Sequence, residues 1–238
     1  VVAVAISPDG KIVAAVEADG RTRMMSRDHN TTALIEEPHP AYRRTSLGFS
    51  SDGKTITTGG VNGFVHRWRL VLEPRRFGRG VREKFPLEYR SVVNASVYAP
   101  DNSCIGTAQA DGTARIYLEK AKLKHRMLGH AGGALTAAFT PDSKYLVSGG
   151  KDNSIKVWDV VVGDLLWDVT GHNGAVNRVL APTADSIVSA SADGSVRYWR
   201  RGGDVDLAVG EALADAARAR PTRKASLPIP AAAELTKS

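Results

Sequence analysis

Short runs in which apolar and small or polar residues alternate recur along the chain, and each is stopped by a cluster of Gly, Asp, Asn, Ser or Pro. Alternation with a period of two is the mark of a half-buried strand, and the clusters supply the backbone angles that tight turns need. SGGKDNSIKVWD, Ser148 to Asp159, is the clearest case: it alternates, breaks at a polar turn, alternates again and closes on Trp-Asp. The same phrase returns as SASADGSVRYW (189 to 199), TGGVNGFVHRW (58 to 68) and TAQADGTARIY (107 to 117), and more loosely as AVEADGRTRMM (15 to 25). Its turn residues, Asp19, Asn62, Asp111, Asp152 and Asp193, lie 43, 49, 41 and 41 positions apart.

Upstream of each phrase stands a second one: AVAISPDGK, LGFSSDGK, SVYAPDNS, AAFTPDSK and RVLAPTADS. In each an apolar strand runs into a turn whose Pro, Asp, Gly and Ser preset a hairpin. Every unit therefore reads strand, turn, strand, turn, strand, then a looser fourth strand such as LKHRML (123 to 128) or DLLWDV (164 to 169). A repeat of about 40 to 45 residues with four strands predicts a four-stranded antiparallel sheet per unit. The units span about 1–38, 39–90, 91–129, 130–171 and 172–209.

On these phrases the chain, over residues 1 to 200, resembles the WD-repeat (tryptophan-aspartate) β-propeller family. Trp158-Asp159 is the literal dipeptide; Trp68 and Trp199 are followed by Arg, and units three and one carry Tyr117 and Met25 instead. The resemblance implies an all-β propeller of about five four-stranded antiparallel blades. Since seven blades are common in the family, it also implies a fragment of a larger ring or an open arc. It further implies a structural network in which His130 bonds both Asp152 and Ser148 while Trp158 donates to the serine hydroxyl. Unit five repeats the set as His172, Asp193, Ser189 and Trp199. Unit two offers a weakened set, His39, Thr58, Asn62 and Trp68; unit three has no histidine at the expected place, and unit one has Ala15 where the hydroxyl belongs.

A Ser-His-Asp trio is also the pattern of an activated nucleophile. An active site is normally singular, whereas this trio occurs twice at equivalent places, each time with a tryptophan, so no catalytic residues and no enzyme are expected. Six histidines are present, His29, His39, His66, His125, His130 and His172, but no pair lies at ligand spacing on one element, and neither a CxxC nor an HExxH occurs. Nor is there a phosphate-binding glycine loop. No metal or cofactor is expected.

Composition refines this picture. A chain of 238 residues, 42% apolar, with 23 glycines, can bury a real core and suits a turn-rich β protein. One cysteine, Cys104, excludes an internal disulfide. No apolar run reaches membrane-spanning length. The chain begins on VVAVAI without Met, so residues preceding it are expected, and a cytoplasmic location is the expectation for it. The net charge of +7 gathers partly in EPRRFGRGVREKFPLEYR (73 to 90), with Arg75, Arg76, Arg79, Arg82, Lys84 and Arg90 against Glu73, Glu83 and Glu88. This reads as a solvated loop leading to an outer strand, or as a contact for nucleic acid or another polyanion, with Phe77 and Phe85 available to stack. Beyond 209 the Ala/Pro-rich segment 210–238 reads as a linker or short helix; Arg-Lys-Ala-Ser, ending at Ser226, fits a basophilic kinase site.

The functional expectation is a non-catalytic scaffold that presents loops to a protein or peptide partner. Carried over from the family, the candidate contact positions are Arg44, Ser46, Val61, Val93, Thr136, Lys151 and Asn177. They flank the start of each innermost strand or precede the turn aspartate, and Arg44 and Lys151 would favour an acidic peptide.

Overall fold

The computed structural model of the chain describes residues 1–27, 31–36, 43–71, 79–83, 91–118 and 122–200, with the backbone alone at 31, 36, 71 and 79–83. All regular structure among them is antiparallel sheet, in five successive units. Blade one contains β1 (Ala3–Ile6), β2 (Ile12–Val16), β3 (Thr22–Ser26) and β4 (Thr31–Glu36). Blade two contains β5 (Arg44–Phe49), β6 (Thr55–Gly60), β7 (Val65–Val71) and β8 (Arg79–Glu83). Blade three contains β9 (Val93–Tyr98), β10 (Cys104–Gln109), β11 (Thr113–Leu118) and β12 (Leu123–Leu128). Blade four contains β13 (Ala134–Phe139), β14 (Tyr145–Gly150), β15 (Ile155–Asp159) and β16 (Leu165–Val169). Blade five contains β17 (Val176–Thr183), β18 (Ser186–Ser191) and β19 (Val196–Arg200). Part of the basic 73–90 segment is thus the outer strand of blade two, β8, paired along β7; its remaining residues, and the chain beyond 200, lie outside the described residues.

Inner strands pack in series, β1 on β5, β5 on β9, β9 on β13 and β13 on β17, which is how propeller blades follow one another around an axis. Between blades the pleat places the same positions face to face. In the first junction Ile12, Ala14 and Met24 meet Leu47, Phe49, Ile56 and Trp68. The third packs Cys104, Ile116 and Met127 against Phe139, Leu146 and Trp158, and the fourth packs Val147, Ile155 and Val157 against Val179, Ile187 and Trp199.

Close approach explains two of the glycines. A Cβ on Gly59 would lie 2.6 Å from Val93 Cγ1, and one on Gly149 would lie 2.6 Å from Val176 Cγ1. The second strands of blades two and four are therefore hollowed so that a fully buried valine from the next inner strand can nest there. The fourth junction is looser: Ala181 stands where blade four carries Phe139, and a cleft of about 550 Å³ opens beside Val147, Val157, Trp167, Ile187 and Trp199.

The hairpin turns at the opposite ends of the strands interlock as well. Asn102 and Ser143 hold left-handed backbone angles, φ 60° in both, where units one and two use Gly10 and Gly53. Both side chains reach back one blade: Asn102 Oδ1 accepts from Ser51 N at 2.9 Å, and Ser143 Oγ from Asp101 N at 3.1 Å. Those bonds offset the steric cost of the left-handed position.

Candidate interaction face

At one end of each blade the loop leading into the inner strand meets the turn between the second and third strands. The residue before the turn Asp or Asn donates its N–H to that loop in four blades: Val61 to Arg43, Ala110 to Val92, Lys151 to Gly133 and Ala192 to Ala175, all at 2.8–2.9 Å. In each of these blades the incoming loop and the turn are therefore joined by a backbone hydrogen bond.

Blades four and five reinforce the join with a chain of side chains. His130 Nδ1 lies 2.9 Å from Asp152 Oδ1 and Nε2 lies 2.8 Å from Ser148 Oγ, and Trp158 Nε1 donates to the same oxygen at 2.8 Å. In blade five His172 lies 3.0 Å from Asp193 and 2.7 Å from Ser189, whose hydroxyl also accepts from Trp199 at 2.8 Å. Since an indole can only donate, the serine oxygen accepts from it and its own O–H donates to Nε2; Nδ1–H then donates to the carboxylate. Every group is satisfied only with the imidazole neutral. Burial accordingly pushes the His130 pKa down, a shift that Asp152 reduces without reversing. At Asp152 burial opposes ionisation, but hydrogen bonds from His130 and Ser154 outweigh it and hold the carboxyl below its ordinary value. Asp193 is lowered in the same sense, burial again being outweighed, by bonds from Ser195, Asn173 and His172.

Ser154 and Ser195 are members that the sequence reading passed over. Ser195 Oγ lies 2.7 Å from Asp193 and 3.1 Å from His172 Nδ1, and Ser154 Oγ lies 3.4 Å from His130 Nδ1. Their signal was a hydroxyl two residues after each turn aspartate. Thr113 continues it in blade three, bonding Asp111 at 2.6 Å.

Blades two and three build the same region differently. Trp68 donates to Thr58 at 3.2 Å, while His66 stacks on Trp68 and approaches Arg44 Nη2 at 3.3 Å; His39 lies outside the described residues. In blade three Arg115, with no exposed side-chain surface, pairs with Asp111 at 2.5 Å. Gln109, at the position of Gly150, is fully buried beside Thr107.

Four expected contact positions are not at the surface. Arg44 is 2% exposed, because its guanidinium folds over Gly60 toward His66 instead of pointing outward. Ser46 bonds Ser96 of the next blade at 3.0 Å. Val93 fills the hollow at Gly59, and Thr136 accepts from Val179 N at 3.3 Å. Their places on the inner strands are consumed by the neighbouring blade. Val61, Lys151 and Asn177 are exposed, with Phe64 beside Val61 at 38%.

The serines of both trios are sealed, Ser148 at 0% and Ser189 at 1% exposure, each capped by an indole. Both hydroxyls are thus engaged between a histidine and an indole and closed to solvent. Among the described residues no cluster of His, Cys, Asp or Glu could hold a metal ion, and no helix is long and apolar enough to cross a membrane.

Comparison with known proteins matches residues 121–159 and 163–200 to the WD domain, G-beta repeat. COMPASS component SWD3 of Saccharomyces cerevisiae is 33% identical over 160 residues, covering 66% of this chain and 48% of its own length. Cilia- and flagella-associated protein 52 of Bos taurus is 24% identical over 238 residues, 81% of this chain and 37% of its own. Transcription factor unc-37 of Caenorhabditis elegans is 22% identical over 191 residues, 80% and 30%. The chain thus spans less than half the length of these relatives.

Proposed function

Because the chain belongs to the WD-repeat β-propeller family, whose members generally serve as protein-interaction scaffolds, we propose that it holds a protein or peptide partner on the end that carries the incoming loops and second-to-third-strand turns. The observation that carries this reading is the bracing of that end. Buried His–Asp–Ser–Trp chains and four repeated backbone bonds fix the loops, so Val61, Phe64, Lys151 and Asn177 stand on a platform that need not be ordered on binding. A preordered surface loses little conformational entropy when occupied. The apolar pair with a cation suits an acidic peptide bearing an apolar anchor.

The test is partner capture by the folded chain and by two variants. Val61→Asp with Lys151→Glu alters the proposed face; Lys54→Glu with Lys144→Glu alters exposed lysines in the hairpin turns at the other end. The first variant is expected to lose the partner and the second to keep it, both with wild-type melting behaviour. A partner lost only on mutating Arg75, Arg76 and Lys84, with affinity falling steeply in salt, would assign polyanion binding to the basic segment instead.

A further inference from the structure

Seven Asp-Gly or Asn-Gly pairs occur in the chain, and six of them lie in hairpin turns between strands. In those six the glycine N–H, of Gly10, Gly20, Gly53, Gly63, Gly112 or Gly194, donates to the carbonyl three residues back at 2.8–3.2 Å. The seventh, Asn173-Gly174, lies in the loop between His172 and β17. Among the described residues the Gly174 N–H donates to no carbonyl. Asn173 is exposed, and although Asp193 holds its backbone N–H at 2.9 Å, its carboxamide makes no hydrogen bond among the described residues.

Packing sets the glycine at this place. A Cβ on Gly174 would lie 2.7 Å from Asp193 N and 3.1 Å from Ala192 C, so blade five takes no bulkier residue after Asn173. An unhindered, unbonded backbone nitrogen therefore follows a carboxamide open to water. Asn62-Gly63 is the contrast. There Gly63 N–H bonds Gly60 O at 3.1 Å, Asn62 Oδ1 accepts from Phe64 N at 3.2 Å, and Asn62 Nδ2 is buried. The five Asp-Gly pairs present a carboxylate, a far weaker electrophile than an amide.

We propose that Asn173 is a site of spontaneous modification, where the side-chain amide is converted to aspartate and isoaspartate and the blade-five loop is loosened. Hydroxide takes the Gly174 amide proton and the nitrogen attacks Asn173 Cγ. An N–C bond forms, the Cγ–Nδ2 bond breaks, and Nδ2 leaves as ammonia with a proton from water, which restores the hydroxide. Water then opens the five-membered imide at either carbonyl. One opening gives aspartate; the other gives isoaspartate, whose main chain runs through the side-chain methylene. Either product sets a second carboxylate beside Asp193. Isoaspartate also lengthens the main chain by one carbon, which displaces Gly174 O from Ser191 Oγ and Ala175 O from Ala192 N, both now at 2.8 Å.

The experiment is incubation of the 238-residue chain at neutral and mildly alkaline pH, then peptide mapping that separates amide, aspartate and isoaspartate at positions 62 and 173. Asn173→Gln, whose longer side chain closes the ring far more slowly, is treated alongside; it alters an exposed, unbonded carboxamide and is expected to fold like the parent. Conversion at Asn173 is expected to run about tenfold faster than at Asn62, where two hydrogen bonds must first break, and to quicken as pH rises. Amide exchange at Ala192 is expected to accelerate in the converted parent and to hold in the treated Asn173→Gln. Synthetic peptides carrying each Asn-Gly pair, which lack the fold, are expected to convert at similar rates. Equal rates at the two sites of the folded chain, faster conversion at Asn62, or a rate indifferent to pH would each overturn the proposed site. Unchanged Ala192 exchange in fully converted protein would overturn the loosening of the loop.

Discussion

Asp152→Ala removes the acceptor at the end of the blade-four chain, and its cost can be worked from the contacts. The carboxylate receives His130 Nδ1 at 2.9 Å, Ala131 N at 3.2 Å and Ser154 N at 3.3 Å. Water can replace it at the exposed Ala131 amide. The imidazole has no such recourse, because the His130 side chain has no exposed surface and the other candidate, Ser154 Oγ, stands at 3.4 Å. One buried donor left without a good partner costs about 1–3 kcal/mol. Taking 2 kcal/mol as the centre, a domain of this size melts about 4–8 °C lower. Asp152→Asn keeps an acceptor oxygen in place and is expected to lose less than half as much. The assay is chemical and thermal unfolding of the parent, both variants, His130→Ala and the double variant His130→Ala/Asp152→Ala. A coupling energy of about 1–2 kcal/mol between the two positions is expected from residues in direct contact. Wild-type stability in Asp152→Ala, or additive effects in the double variant, would refute the network as a source of stability.

Other expectations follow from the same geometry. His130 is held neutral by burial and titrates in the unfolded chain near its ordinary 6.5; the unfolded state therefore takes up the proton first as pH falls, and stability declines below that value. Asp152, lowered from 3.8, adds a second loss in more acidic solution, so melting temperature should fall from about pH 7.5 to about pH 5, and less so in His130→Gln. Gly59→Ala places a Cβ 2.4 Å from Ser46 Oγ and 2.6 Å from Val93 Cγ1; overpacking of about 1–3 kcal/mol is expected, with partial rescue in urea unfolding when Val93→Ala is added. Asn102→Ala keeps the left-handed strain and loses the bond to Ser51, whereas Asn102→Gly loses both, so the alanine variant should be the less stable of the two by about 1 kcal/mol.

Much of this architecture is legible in the chain because a repeat supplies its own alignment. The turn Asp or Asn positions, the strand pattern and the fourth strands of units three and four follow from period-two alternation stopped by turn residues; β12 occupies Leu123–Leu128 and β16 Leu165–Val169. Even unit one, with Met25 in place of tryptophan, forms four strands, because pleat and turns depend on alternation more than on the indole. The surface positions were harder. Arg44 reads as an exposed cation since arginine is seldom buried, and only the three-dimensional packing brings Gly60 and His66 to its guanidinium. Val93 and Thr136 were misplaced for the same reason: one strand cannot show that the next blade covers its starting residues. Ser154 and Ser195 were visible as a repeated hydroxyl, but their bonds to histidine depend on ring orientation.

The central claim is that buried polar chains brace the loops and turns of the partner-facing end, and amide hydrogen exchange tests it most directly. In the parent, Lys151 N–H, bonded to Gly133, and Ala131 N–H, bonded to Asp152, should both be protected. In Asp152→Ala their exchange should accelerate together, while Ala192 and Asn173, the equivalent amides of blade five, keep their parental rates. Unchanged protection at Lys151 in the variant would contradict the account, since the turn would then be held without the histidine–aspartate chain.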